Sequence, residues 1–359
     1  MAYITFDIDK LRYNYNYLDK LFNKGKIEWS VVTKLLCGNK DYLNELYKMG
    51  VQQMCDSRIS NLKSIKSIHS DITTIYIRPP ANYNVSNVVK YADISLNTEE
   101  KTIRLLSEEA QRQNKIHKII IMMELGELRE GVLGEKLIEM YEKVYSLKNI
   151  EIIGLGVNLS CLYGILPSKE KLIQLIHYQK LIKKNFKKKL KYLSGGTSVT
   201  IHLIWDKTLP KGINHFRVGE TLFFGTDVYE SKEADFLQHN LFKLYAQIIE
   251  ISEKPMQPEG EFGTNLEGKT FELDETLFGI TSKRALVDVG LLDVAAEHII
   301  PVDENISIVG ATSDILVLDL GNNSQSYKVG DFIEFKLNYY STLKLLNSKY
   351  IEKRIVSNL

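Results

Sequence analysis

Short apolar runs alternate with longer amphipathic stretches from residue 28 to residue 225. Strand-length runs fall at 28–33, 53–55, 73–77, 94–96, 118–124, 152–157, 190–193 and 214–218. Between them, segments such as 41–49, 99–113 and 171–186 place apolar residues at steps of three and four, the spacing of one helical face. Residues 11–23 carry the same helical spacing ahead of the first strand. Eight strands alternating with helices over about 200 residues predict an α/β fold, a (β/α)8 TIM-like barrel. After Gly225 the pattern changes. Runs at 242–253, 283–289, 306–310, 315–320 and 331–337 read as strands between Gly, Pro and Asn turns, with no long helix between them. The expected organisation is a barrel over 1–228 and a C-terminal β-rich domain over 229–359, which N-terminal residues can complete, the changeover lying near 226–240. The Gly- and Glu-rich stretch 255–278 is expected to be a long loop or irregular hairpin.

Composition narrows the function classes. A length of 359 residues with 44% hydrophobic and 25% charged residues is ordinary for a globular protein of two domains. A formal net charge of +1 gives no field that would favour nucleic acid or an anionic membrane. No signal peptide and no membrane span are expected, because the first ten residues lack a basic-then-apolar pattern and no long apolar run follows. Three cysteines far apart suit a reducing, cytoplasmic setting. Seven scattered histidines without paired spacing give no metal site, which argues against a metal hydrolase. The basic run 183–191 ends an amphipathic helix and reads as a solvated face.

Barrel enzymes carry their chemistry at the C-terminal ends of the strands. Those ends here hold Thr33-Lys34, Asp56-Ser57-Arg58, Arg78, Asn97, Glu124 with Arg129, Asn158, Ser194-Gly195-Gly196-Thr197-Ser198 and Arg217. Lys34 follows Val31-Val32, so it should point into the barrel mouth. On position alone a lysine escaping to solvent is the commoner case; a buried one has a lowered pKa and can form a Schiff base. The Gly/Ser/Thr motif at 194–198 lies where barrels hold phosphate, although an ordinary loop has the same composition. Arg217 on the last barrel strand needs a partner, either an internal salt bridge or a cofactor ring nitrogen.

Taken together, these pieces resemble the alanine racemase-type enzymes that use pyridoxal 5'-phosphate (PLP), closest to the alanine/ornithine racemase branch. The resemblance rests on Val31-Val32-Thr33-Lys34-Leu35-Leu36-Cys37-Gly38, Asp56-Ser57-Arg58, Ala92-Asp93-Ile94-Ser95-Leu96-Asn97 and Leu128-Arg129-Glu130-Gly131-Val132. It continues through the 194–198 motif, Lys211-Gly212-Ile213-Asn214-His215-Phe216-Arg217-Val218-Gly219-Glu220, and the segment from Val329 to Tyr339. It implies that Lys34 carries the cofactor as a Schiff base. It implies that Thr197, Ser198 and the backbone near Gly219 hold the phosphate, with Tyr339 as a further donor. Arg217 would face the pyridine nitrogen, Arg129 the cofactor O3' and the substrate carboxylate, and Asn158 would pack against the ring. The family is typically a homodimer whose shared sites are completed by the partner's β domain.

An arginine at the ring nitrogen discourages its protonation and weakens the electron sink, which suits racemisation. Racemisation needs proton transfer on both faces of Cα. Lys34 can serve one. Alanine racemases serve the other with a tyrosine in Gly-Tyr-x-Asp-Gly; the stretch Gly290-Leu291-Leu292-Asp293-Val294 lacks it. Asp314, in a stretch resembling the family's Met-Asp loop, is the leading candidate for the second base, with Cys37, Cys161 and His298 as others. Asp293 or Asp314 could instead pair with a side-chain ammonium, favouring a basic substrate such as ornithine. The expected function is a racemase of a free amino acid, ornithine or another basic one. The alternatives are a PLP decarboxylase and a non-catalytic PLP-binding protein. Decarboxylases of this architecture usually pair the ring nitrogen with a carboxylate and carry a cysteine in the β domain, whereas this chain has Arg217 and no cysteine after 161.

Overall fold

The computed structural model describes residues 1–264, 268 and 270–357. The chain opens with β1 (Tyr3–Asp7) and α1 (Ile8–Lys24). Then follow β2 (Glu28–Val32), α2 (Lys40–Lys48), β3 (Gln53–Asp56), α3 (Ile59–Ile68), β4 (Thr73–Tyr76), α4 (Val85–Tyr91), β5 (Ile94–Asn97) and α5 (Glu100–Arg112). The alternation continues through β6 (His117–Met122), α6 (Leu137–Tyr145), β7 (Ile150–Gly156), α7 (Lys169–Phe186), β8 (Tyr192–Ser194), β9 (Gly196–Thr197), α8 (His202–Trp205), β10 (His215–Val218) and α9 (Glu220–Phe224).

Strands β2 to β10 form one parallel sheet in the order β8-β7-β6-β5-β4-β3-β2-β10-β9. β8 and β9 are two pieces of one run broken at Gly195. The first pairs with β7 and the second with β10, so the sheet closes on itself as a barrel. The seam is tied further by the Leu193 N–H donating to Asn214 Oδ1 at 2.7 Å. Gly196 is required there, since a Cβ would fall 2.1 Å from a ring carbon of Phe216 on β10. Buried residues from every strand between β2 and β8 form one cluster, from Val32 and Cys55 through Ile94, Ile120 and Ile153 to Tyr192. The outer helices are amphipathic. α5 buries Ile103, Leu106 and Ala110 on one face and carries Glu100 in its first turn and Arg112 in its last, as its dipole favours. Asn39 caps α2 and Ser168 caps α7 through their side-chain oxygens.

Past the barrel a two-stranded ribbon, β11 (Thr226–Asp227) and β12 (Lys232–Glu233), precedes the second sheet. That sheet comprises β13 (Phe242–Pro255), β14 (Thr281–Val287), β15 (Ile299–Pro301), β16 (Ser307–Ala311), β17 (Leu316–Asp319) and β18 (Phe332–Leu337). They lie antiparallel in the order β15-β18-β13-β14-β17-β16. After β18 come α10 (Tyr339–Asn347) and β19 (Glu352–Val356). β1 joins this sheet, antiparallel to β13 and parallel to β19. By contacts the chain forms two compact units, Lys10–His239 and Met1–Asp9 with Asn240–Leu359. β13 runs to Pro255 and β14 begins at Thr281, with a short turn at Glu275–Leu277 between them; residues 265–267 and 269 of the expected 255–278 loop lie outside the described residues. Among the described residues no helix is long and apolar enough to cross a membrane.

Candidate active site

β2 buries Val31 and Val32 against Met54 and Cys55 of β3, and the chain then leaves the sheet. Thr33 marks the exit. Its N–H donates to the Cys55 carbonyl at 2.8 Å, and its hydroxyl lies 3.0 Å from Asp56 Oδ2. Asp56 is buried and also accepts from the Arg58 N–H and the Asn61 amide. Burial pushes its carboxyl up, and these donors oppose the shift. Lys34 opens a single 3-10 turn, Lys34–Leu36, whose two leucines are buried while Lys34 itself is exposed. The lysine therefore stands at the mouth rather than inside it. Cys37 closes the turn in a left-handed conformation, half-buried, beside Lys34 in sequence.

Arg217, on the neighbouring strand β10, is buried. Its Nη1 donates to the Ser194 carbonyl at 3.1 Å and to Ser194 Oγ, and its Nη2 to the Val157 carbonyl at 2.8 Å and Asn158 Oδ1 at 2.6 Å. Both terminal nitrogens are thus spent. Among the described residues Nε has no hydrogen-bond partner. Behind Arg217 the polar chain continues. Ser194 Oγ lies 2.7 Å from His215 Nδ1, His215 Nε2 lies 3.1 Å from Ser30 Oγ, and Ser30 donates to Gln53 Oε1 at 2.9 Å. Burial, then the charge of Arg217, pushes His215 down to about 3, so the ring is neutral. With Ser30 donating onward, His215 carries its proton on Nε2 and accepts at Nδ1 from Ser194.

Arg129 comes from the turn after β6. Glu124 accepts the N–H groups of Gly126, Leu128 and Arg129, which fixes that turn. The Arg129 guanidinium pairs with Glu130, whose carboxylate also receives the Asn158 amide. Glu130, and also the nearby Cys161 sulfur, hold the Arg129 pKa above its ordinary value. Cys161 is exposed, in the loop after β7. That loop is gathered by the buried carboxylate of Glu127, which accepts N–H groups from Ser160 at 2.9 Å, Cys161 at 2.7 Å, Leu162, Tyr163 at 3.0 Å and Ile165 at 3.2 Å. Burial alone would raise this carboxyl; the backbone donors bring it down to about 2.

The 194–198 motif supplies the last part of the mouth. Thr197 and Thr200 form a reciprocal cap on the turn Ser198–Ile201. Ser198 Oγ accepts the N–H groups of Gly219 and Thr221, each at 3.3 Å. Gly219 allows this approach, since a Cβ would lie 3.1 Å from the Val32 carbonyl oxygen. The Arg217 Nε–H and the Ser198 hydroxyl proton have no acceptor among the described residues, and with the glycine backbone beside Ser198 they fit the ring nitrogen and phosphate of PLP.

The barrel unit thus holds Lys34, Arg129, Asn158, Thr197, Ser198 and Gly219 at or past the C-terminal ends of its parallel strands, with Arg217 within β10, towards one end of the barrel. The β unit holds the rest. There the Leu291 and Leu292 N–H groups donate to the carbonyls of Thr312 and Ser313 at 2.9 Å, so the loops bearing Asp293 and Asp314 lie together. Asp314 is exposed, while Asp293 Oδ1 accepts from Ser348 at 2.9 Å. Tyr339 is the first residue of α10 and is half-buried. His298 takes the Asn338 amide and stacks on Tyr340 with centroids 5.2 Å apart. Sequence reasoning missed Glu127, Glu130 and Glu220. Glu130 and Glu220 stood inside motifs already singled out, but nothing in their spacing marked them.

The family model for the alanine racemase N-terminal domain matches residues 6–227. An ornithine racemase from Acetoanaerobium sticklandii is 38% identical over 355 residues, covering 98% of this chain and 99% of its own. A lysine racemase from Thermotoga maritima is 29% identical over 350 residues, covering 98% and 97%. Among solved structures, alanine racemase from Bartonella henselae with covalently bound pyridoxal phosphate superposes with a TM-score of 0.75 at 17% identity, covering 99% of both chains. Alanine racemase from Clostridium difficile 630 gives 0.76 at 16%, covering 99% of this chain and 96% of its own. The barrel followed by an antiparallel sheet is therefore the alanine racemase fold, and with the family model and a full-length relative both matching, this chain belongs to the alanine racemase N-terminal domain family.

Proposed function

We propose that this protein is a PLP-dependent isomerase that interconverts the L and D forms of a free basic amino acid, ornithine foremost. The observation that carries the reading is the placement of Lys34 just past the end of β2 beside the adjacent strand β10, whose Arg217 keeps only its Nε–H for a further acceptor. The 38% identity to an ornithine racemase over 98% of the chain supports the substrate class.

When bound, PLP supplies an electron sink that acidifies the Cα–H of the attached amino acid. The protein's own residues do the rest. Lys34 takes and returns the proton on one face of Cα. Arg217 keeps a positive charge opposite the ring nitrogen and so disfavours its protonation, which directs the proton back to Cα. Asn158 and the Ser194 carbonyl hold Arg217 in place. Arg129, steadied by Glu130, is the partner for the substrate carboxylate. Thr197, Ser198 and the Gly219 N–H orient the phosphate. We place the group for the opposite face on the β unit of a second copy, with the exposed Asp314 as its carboxylate, in a cytoplasmic homodimer.

The test is chiral chromatography after incubating PLP-loaded protein with L-ornithine, lysine, arginine, alanine or serine, with Lys34→Ala as control. D-ornithine that disappears in the variant supports the reading. Bound cofactor with no D-product from any of them sinks it and leaves decarboxylation or a regulatory role. A monomer in sedimentation at micromolar concentration counts against the shared site.

A further inference from the structure

We propose that Glu220 is the acidic subsite for the side-chain ammonium of a basic substrate, set at the barrel mouth next to Lys34. This deepens the racemase reading above and rests on it.

The position follows from register. β10 and β2 pair in parallel with Val218 opposite Val31, so the two chains leave the sheet side by side, Glu220 two residues past the end of β10 and Lys34 two residues past the end of β2. The backbone there is pinned. Gly219 packs against Val32, and Ser198 Oγ receives the N–H groups of both Gly219 and Thr221, on either side of Glu220. Glu220 is thus carried on a fixed stretch of chain.

The carboxylate is the odd one at the mouth. Asp56 accepts from Thr33 and Asn61, Glu124 from its own turn, Glu127 from the loop after β7, and Glu130 from Arg129 and Asn158. Glu220 is half-buried, and among the described residues it has no hydrogen bond or ion pair. An acid in the first turn of α9 also complements the helix dipole, but a fully exposed side chain would serve that purpose. Burial raises the Glu220 carboxyl, and the charge of Lys34 is what opposes the shift.

That counter-charge is lost whenever the Lys34 amine is neutral, as it must be to take the Cα proton. With a phosphate at Ser198 and Gly219 and Lys34 engaged in that proton transfer, the half-buried carboxylate faces added negative charge and has no ammonium of its own. A substrate carrying a second ammonium restores the balance, and an ammonium–carboxylate hydrogen bond is of the stronger, charge-assisted kind. A neutral side chain of the same length leaves Glu220 unpaired. The site would therefore discriminate by charge rather than by size.

The experiment titrates PLP-loaded wild type and Glu220→Gln with L-ornithine and with L-norleucine, its isostere with a methyl in place of the side-chain ammonium. Affinity is read from the cofactor spectrum, and racemisation is followed in parallel. The expected result is a preference for ornithine over norleucine that falls roughly 10- to 100-fold in the variant, in binding and in kcat/KM alike, as for losing a hydrogen bond to a charged group. Glu220→Asp should recover part of it. An unchanged preference, or equal weakening towards both ligands, overturns the proposal. If wild type racemises neither amino acid yet binds ornithine preferentially, and Glu220→Gln abolishes that preference, the racemase reading fails and the subsite stands.

Discussion

The carboxylate of Glu127 collects five backbone N–H groups from one loop, and those donors bring its pKa from about 4.5 to about 2 despite burial that opposes the change. The folded state therefore holds the ionised form more tightly than the unfolded chain does. Its stabilising contribution is present above about pH 4.5 and is lost as pH falls towards about 2. Glu127→Gln keeps the size but turns an amino group towards N–H donors. The variant should melt below wild type at neutral pH, and the gap should narrow as pH drops below about 4.5. Melting curves across pH 3 to 7 check this; a gap independent of pH would remove ionisation from the account. The loop it gathers carries Cys161, which lies against Arg129, so the variant should also weaken substrate binding through Arg129.

Among the elements, the broken strand β8–β9 decides whether the barrel closes. Gly196→Ala would drive a Cβ into the Phe216 ring and separate β9 from β10, which carries Arg217. Such overpacking typically costs about 1–3 kcal/mol. We expect a lower melting temperature together with loss of bound cofactor, since the same glycine sets the approach of Thr197 and Ser198; a variant that retains cofactor normally would show that the seam tolerates the strain. The barrel strands were legible in the sequence because parallel strands covered on both faces read as apolar runs, as in the buried stretch Ile119-Ile120-Ile121-Met122 of β6. β1, β15 and β19 were not legible. β19 is Glu-Lys-Arg-Ile-Val with most positions exposed, and a short strand at a sheet margin carries no hydrophobic pattern of its own. α10 was hidden for a related reason: it is nine residues long, its buried face mixes Ser341 and Thr342 with Leu345 and Leu346, and its start is set by a cap between Asn338 and Ser341. The candidate site was legible where a residue's place on a strand end fixed its direction, as with Arg217 and Ser198. It was not legible for Glu127 and Glu220, whose roles depend on which donors or cations a distant segment brings.

At the scale of the whole molecule, the first residues of the chain belong to the unit formed by the last 120 or so. β1 sits between β13 and β19, with Tyr3 opposite both Tyr245 and Glu352. Ile4 and Phe6 are fully buried, Phe6 stacks on Phe242 at 4.3 Å, and Tyr3 on Tyr245 at 4.9 Å. Arg354 of β19 lies 3.6 Å above the Tyr3 ring. Removing residues 1–7 would therefore take away the only sheet partner that β19 has among the described residues and expose one edge of β13. Burying two large apolar side chains is worth about 1.5–3 kcal/mol each, a sizeable part of the roughly 5–15 kcal/mol that holds a typical domain folded. The truncated protein should lose hydrogen-exchange protection in β19 and along the Phe242–Tyr245 part of β13 that β1 covers, while β2 to β7 of the barrel keep theirs, because every one of those strands retains both neighbours. Freed strand edges also template association, so the same protein should aggregate at concentrations where the full chain does not. If β19 stays protected after the truncation, its stability comes from elsewhere in the unit, and β1 is a passenger on the sheet rather than the strand that ties its two ends together.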